Sequence, residues 1–324
     1  MNRRGIELSF GWIFSLIVGG AILFLAIYAA IQFGGEERRI QETFTAQELV
    51  TRFSALTTTL ESASRPGNLS FATETRITPL CTLEDMLGMQ EVRVASRSGI
   101  GAAWDDAGVP AKAPGLYLFS AKQVYGKEFN ILVKPILLPF KIGDSITLWS
   151  SSYCFVQPPR DIEDELAIVK GAGHPIVITS KPQDCVRNST VVCFTTGGVI
   201  SGTKSACQVF VDVEQRSVEK QGQKVFYIEP LIYAAIFSEP QLYECNVKRL
   251  LKRAEFLSSL YQDKSAFIAS RGQGCSSALQ ADIETYRTIA QNGTSRSLAS
   301  LEEKALELDS KNPDACRLWQ EKMR

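Results

Sequence analysis

The sequence predicts an α+β fold: one N-terminal transmembrane helix, an exported mixed or antiparallel β region, and a helical C-terminal part. Three observations carry this expectation. An uncharged apolar run extends from Leu8 to Phe33, short alternating segments fill residues 68 to about 157, and helical spacing of apolar residues dominates 229–324. The expected divisions are a stub at 1–8, a transmembrane helix at 9–33, a helical stalk at 34–63, an exported α+β domain at 64–228 and a helical region at 229–324.

The apolar run comes first. As a helix it is roughly 35–40 Å long, enough to cross a hydrocarbon core of about 30 Å with some tilt. It is longer than the apolar core of a secretory signal, and Ala26, Ala29 and Ala30 do not give an A-x-A-like cleavage site. Arg3, Arg4 and the α-amine precede it, whereas Glu36, Glu37, Arg38 and Arg39 follow and cancel. The positive-inside bias therefore places the stub in the cytoplasm and the remainder outside, with about eight residues inside, too few for a cytoplasmic catalytic domain.

Within the run, Gly11, Ser15 and Gly19 recur every four residues and share one helix face, with Glu7 one step earlier and Ala26 and Ala30 continuing it. Small side chains let a second backbone approach closely, so a membrane partner and a homo- or hetero-oligomer are expected through this face. A carboxylate such as Glu7 at the membrane edge calls for a basic partner. Arg3-Arg4-Gly5, followed by Ile6, Glu7, Leu8 and the apolar helix, resembles the N-terminus of type IV pilin-like proteins of archaea and bacteria. The resemblance covers about the first 35 residues. It implies cutting after Gly5 by a dedicated peptidase and packing of the exposed helix into a filament or membrane complex. The acidic residue stands second after the cut, where the bacterial pattern has it fifth. The same segment is similar to that of archaeal single-span surface proteins of unknown role.

Beyond the membrane, Ile40, Phe44, Leu49, Phe53, Leu56 and Leu60 predict a helix over 36–63, with Gly34-Gly35 as a hinge and Arg65-Pro66-Gly67 as its end. Strands are expected at 69–77, 91–95, 116–121, 129–137 and 145–155, the fourth bent or near an edge because of Pro135 and Pro139. A helix at 161–170 follows, then strands at 175–179 and 191–196. A hairpin at 208–214 and 224–228 has 215–223 as its polar loop. Helices close the chain at 229–237, 239–268, 276–290 and 297–308. Lys248, Arg249, Lys252 and Arg253 cluster on the longest of these and read as a solvated face balanced by Glu244 and Glu255.

All eight cysteines lie outside the apolar run, and an even count fits an exported, oxidised domain. An αα-hairpin of the last two helices would return Cys275 and Cys316 to one end, a bridge of about 4 kcal/mol on the chain-entropy model. Cys185 and Cys193 are a second candidate across a turn. Cys81, Cys154, Cys207 and Cys245 stay unpaired at this stage. Sequons at Asn68, Asn188 and Asn292 exceed the roughly one expected by chance from seven asparagines.

Catalytic signatures are sparse. His174 is the single histidine, in a Gly-rich turn, which removes multi-histidine zinc sites and leaves any Ser-His or Cys-His mechanism to one residue. Gly197–Ser205 departs from a phosphate loop because Thr203 intervenes before Lys204. Ser201-x-x-Lys204 and Ser217-x-x-Lys220 both have the spacing of serine–lysine hydrolases, without the accompanying Lys-Thr-Gly. There is no C-x-x-C, and 35 acidic residues balance 35 basic ones, so no nucleic-acid footprint shows. No cofactor, metal or catalytic residue is expected. The sequence points to a membrane-anchored surface protein with a structural or partner-binding role in a cell-envelope assembly. A pilin-like subunit, an exported serine–lysine hydrolase and an extracytoplasmic ligand-binding receptor are the alternatives.

Overall fold

In the computed structural model, helix α1 runs without a break from Phe10 to Thr57. The structure describes residues 10–57, 65–97, 104, 107–196, 199–200, 206–270, 279–312 and 317–320. At 1.5 Å per residue α1 is about 70 Å long. The hinge expected at Gly34-Gly35 is instead helical. Each interior glycine costs about 1 kcal/mol relative to alanine, which the flanking Gln, Glu and Arg formers and the long hydrogen-bonded ladder absorb.

After α1 come strands β1 (Arg65–Thr82), β2 (Met89–Ser96), β3 (Ala111–Ala113), β4 (Tyr117–Ser120), β5 (Val124–Leu137) and β6 (Lys141–Trp149). They form one sheet in the order β3-β2-β1-β5-β6-β4, antiparallel except for the β4–β6 pair. Pro135 is tolerated in β5 because β1 pairs only as far as Val133, so the strand lacks its β1 neighbour there.

The expected single strand over 145–155 is broken at Ser150–Ser152 and divided between two sheets. The second sheet starts with β7 (Tyr153–Val156) and continues, after helix α2 (Arg160–Gly171), with β8 (Ile176–Thr179) and β9 (Thr190–Thr196). It is completed by β10 (Val199–Ile200), β11 (Val209–Asp212), β12 (Ser217–Lys220) and β13 (Gln223–Phe226), in the order β13-β12-β11-β9-β7-β8 with β10 on β9. The loop expected at 215–223 holds strand β12. Gln221 and Gly222, at φ 53° and 72°, make the two-residue turn that pairs it with β13.

Helices α3 (Ile232–Phe237), α4 (Pro240–Ser270), α5 (Gln280–Gln291) and α6 (Leu298–Lys311) follow. The α5–α6 hairpin forms as its periodicity predicts, with Thr294 and Ser297 exchanging capping hydrogen bonds between them. Two main cores result. One lies between the inner half of α1 (Ala46, Leu49, Phe53) and the facing side of the first sheet, including Ile77, Val94, Phe129 and Ile131. The other joins the opposite side of that sheet to the second sheet and the C-terminal helices. Every residue of α3 is buried there, and Phe237 rests against Trp149 and Tyr153 at ring separations of 4.5 and 4.2 Å. Residues on both sides of 228/229 therefore share one core.

Candidate functional site: the bare helix and its seat

Among the described residues, Phe10–Ala29 of α1 is the segment long and apolar enough to cross a membrane, and none of it is buried. Fully exposed apolar surface on this scale is uncommon in a folded chain. Gly11, Ser15 and Gly19 all lie on it, and a Cβ at Gly11, Gly19 or Gly20 would meet nothing within 4 Å. Glu7 and Gly5 lie outside the described residues.

The inner half is seated by polar as well as apolar contacts. Glu42 is buried, and its carboxylate accepts from the Ser96 amide at 3.0 Å and from the Ser96 hydroxyl. Thr43 Oγ1 accepts from the Val109 amide at 2.9 Å. Gly108 is needed for this approach, since a Cβ there would stand 2.5 Å from the Thr43 nitrogen. At the far end the Arg65 guanidinium donates to the Leu56 carbonyl at 3.0 Å. Glu42→Ala removes the acceptor of two donors and is expected to loosen the seat by about 2 kcal/mol. The rate of limited proteolysis of the chain would rise accordingly, and an unchanged cleavage rate would contradict the role given to Glu42.

Exposed apolar residues continue beyond the candidate span. Ile40 and Phe44 are 58% and 65% exposed. At 3.6 residues per turn, Gly11, Ser15, Gly19, Ile40 and Phe44 fall within about 80° of one another, and Ala46, Leu49 and Phe53 lie on the opposite side. The small-residue face and the Ile40–Phe44 pair thus form one stripe that points away from the seat.

Among the described residues three disulfides are formed: Cys81–Cys245, Cys154–Cys185 and Cys193–Cys207. The Cys185–Cys193 bridge expected from the sequence is not formed. Cys193 lies within β9, parallel to both β7 and β11, so each of the two cysteines finds its partner on a neighbouring segment rather than across their own turn. Cys275 and Cys316 lie outside the described residues. Two open clefts of about 490 and 410 Å³ flank Cys81–Cys245, one lined by Lys224, Glu244 and Lys248, the other by Lys122 and Glu239.

The basic cluster on α4 is not a solvated face. Arg249 is fully buried and donates to the carbonyls of Leu116 and Pro114 and to Asn246 Oδ1 at 2.8–2.9 Å, with its guanidinium 4.8 Å from the Tyr117 ring centre. Burial pushes its pKa down from the usual arginine value. Lys252 donates to the Leu83 carbonyl at 3.0 Å. Periodicity marked the helix, but nothing local in the sequence told the buried cation from its exposed neighbours.

Of the two Ser-x-x-Lys pairs, the described one, Ser217 and Lys220, does not assemble. Ser217 and Lys220 lie three apart on β12, so their side chains project to opposite faces of the sheet. Lys220 donates to the Ile236 and Ser238 carbonyls at the end of α3, and burial pushes its amine down to about 8. Ser201 and Lys204 lie outside the described residues. Among the described residues no group of three or more His, Cys, Asp and Glu could hold a metal ion. Asn68, Asn188 and Asn292 are all exposed.

His174 is buried, with Nδ1 2.7 Å from Asn130 Oδ1 and its ring 5.3 Å from Trp149. Burial lowers its pKa from 6.5. The unfolded chain then binds this proton before the folded one does, so His174 is expected to reduce stability as pH falls below about 6.5. Asp144, whose carboxyl burial pushes up, acts with the opposite sign. As the single histidine, His174 can be isolated: urea unfolding at pH 7.5 and 5.5 should differ less in His174→Gln than in the parent chain. An identical difference would remove His174 from the account. No protein-family model, curated protein or solved structure matches the chain.

Proposed function

We propose that this is a single-pass, membrane-anchored exported protein with a structural or partner-binding role in a cell-envelope assembly, without catalysis of its own. The observation that carries the reading is the stripe on α1. A lone lipid anchor needs only an apolar surface up to the membrane boundary, yet Ile40 and Phe44 prolong the same face past the charged residues Glu37, Arg38 and Arg39. A neighbouring helix that packs along Gly11, Ser15 and Gly19 gains these two side chains as well. Arg3 and Arg4 favour a cytoplasmic N-terminal side, and three disulfides fit a domain held in an oxidising compartment.

The unbroken helix favours one version of this reading, the pilin-like subunit cut after Gly5. A continuous shaft would transmit the position of the membrane half rigidly to the domain, as a filament or a fixed-height complex requires. Cysteines introduced singly at 37, 40, 41, 44, 47 and 48 test the packing face in native membranes. Oxidative cross-linking is expected to peak at 40, 44 and 47 and fall at 41 and 48. Uniform cross-linking, or none, would leave α1 a lone anchor.

A further inference from the structure

The side of the first sheet opposite α1 carries a second feature. Register places Arg76 of β1 opposite Ala95 of β2 and Tyr125 of β5, and Thr78 opposite Arg93. Arg76, Arg93 and Tyr125 therefore project from one face. The Trp104 ring lies on it, 5.1 Å from the Arg76 guanidinium, 6.0 Å from that of Arg97 and 5.4 Å from the Tyr125 ring. Arg97 is neutralised by Glu74 at 3.0 Å, and Glu91 stands opposite Lys112 in register. Arg76 and Arg93 make no ion pair among the described residues. Asp105 and Asp106, which follow Trp104, lie outside them. The two arginines are diagonal neighbours across adjacent strands, about 7–8 Å apart, within reach of one another's long side chains and so of a single anion between them.

We propose that Arg76 and Arg93, flanked by Trp104 and Tyr125, form an oxyanion site that takes the phosphate of a membrane-lipid headgroup. Guanidinium forks suit phosphate oxygens, and Trp and Tyr rings favour the interfacial layer. Position supports the lipid source. The helix meets the domain first at Glu42–Ser96 and Thr43–Val109, so the Arg97 end of β2 lies where the shaft enters. From Phe33, where the apolar run ends, to Glu42 is nine residues, about 14 Å of helix. The headgroup layer covers about 5–8 Å of this, and modest tilt with long arginine side chains covers most of the remainder. The site rests on the membrane-anchored reading of α1.

The test uses the full chain with Tyr125→p-benzoylphenylalanine, irradiated in nanodiscs of zwitterionic lipid containing a phosphatidylglycerol fraction. The expected result is a covalent adduct of one phospholipid mass, reduced at least five-fold by Arg93→Gln and by Arg76→Gln/Arg93→Gln, with the same photoreactive residue at Asn188 giving none. A chain that enters nanodiscs but yields no adduct above the Asn188 control overturns the headgroup site and leaves the anchor standing. Failure to enter nanodiscs overturns both. A melting-temperature rise with inorganic phosphate in lipid-free neutral detergent, without adducts in bilayers, makes free phosphate the ligand and overturns the lipid source.

Discussion

Arg249→Met is expected to destabilise the domain by about 3–5 kcal/mol, among the largest effects of any single substitution outside the disulfides. The guanidinium holds three acceptors, two of them fully buried: the Leu116 carbonyl and the side chain of Asn246, with the part-buried Pro114 carbonyl as the third. Methionine fills similar volume but leaves all three without a donor. No carboxylate pairs with Arg249 among the described residues, so the loss is of hydrogen bonds and ring contact rather than of an ion pair. Gly88 belongs to the same construction. It sits at φ 64°, and a Cβ there would come within 2.8 Å of Arg249 Cγ and 2.6 Å of the Thr82 carbonyl. Gly88→Ala should therefore destabilise as well. Urea unfolding in detergent checks both, and a loss under 1 kcal/mol for Arg249→Met would show that α4 is held by apolar packing alone.

Removing Cys81–Cys245 should have the second large effect. Its sequence separation is 164, against 31 for Cys154–Cys185 and 14 for Cys193–Cys207. The chain-entropy model gives ceilings of about 5, 4 and 3 kcal/mol in that order. The longest bridge also ties the first sheet to α4 across the shared core, so the double serine variant should lose cooperativity as well as stability. Replacing each pair in turn and measuring thermal unfolding tests the ranking. If Cys193–Cys207 proved the costliest to remove, local packing around the bridge would outweigh loop closure.

Legibility in the sequence followed the reach of each interaction. Helices α2, α4, α5 and α6 and strands β1, β2, β5 and β9 were readable because their signal, apolar spacing and turn residues, lies within the segment itself. The division of 145–155 between two sheets was not, since Ser150-Ser151-Ser152 is as compatible with one strand as with two. The Gln221-Gly222 turn was a readable signal that the polar composition of 215–223 obscured. Disulfide pairing and the burial of Arg249 and His174 depend on segments far apart in the chain. The small-residue face of α1 was visible from spacing alone. Its alignment with Ile40 and Phe44 needed the unbroken helix, because the expected hinge at Gly34-Gly35 would have uncoupled the two.

The measurement that bears most directly on the central claim is native mass spectrometry of the chain extracted from its own membrane in mild detergent, beside a Gly11→Leu/Ser15→Leu/Gly19→Leu variant. Extraction only with detergent, a multimer or a co-purifying chain for the parent protein, and a monomer for the variant are expected. Loss of residues 1–5 would select the pilin-like version. A parent protein that is released by alkaline carbonate without detergent, or that is monomeric and indistinguishable from the variant, would contradict the central claim.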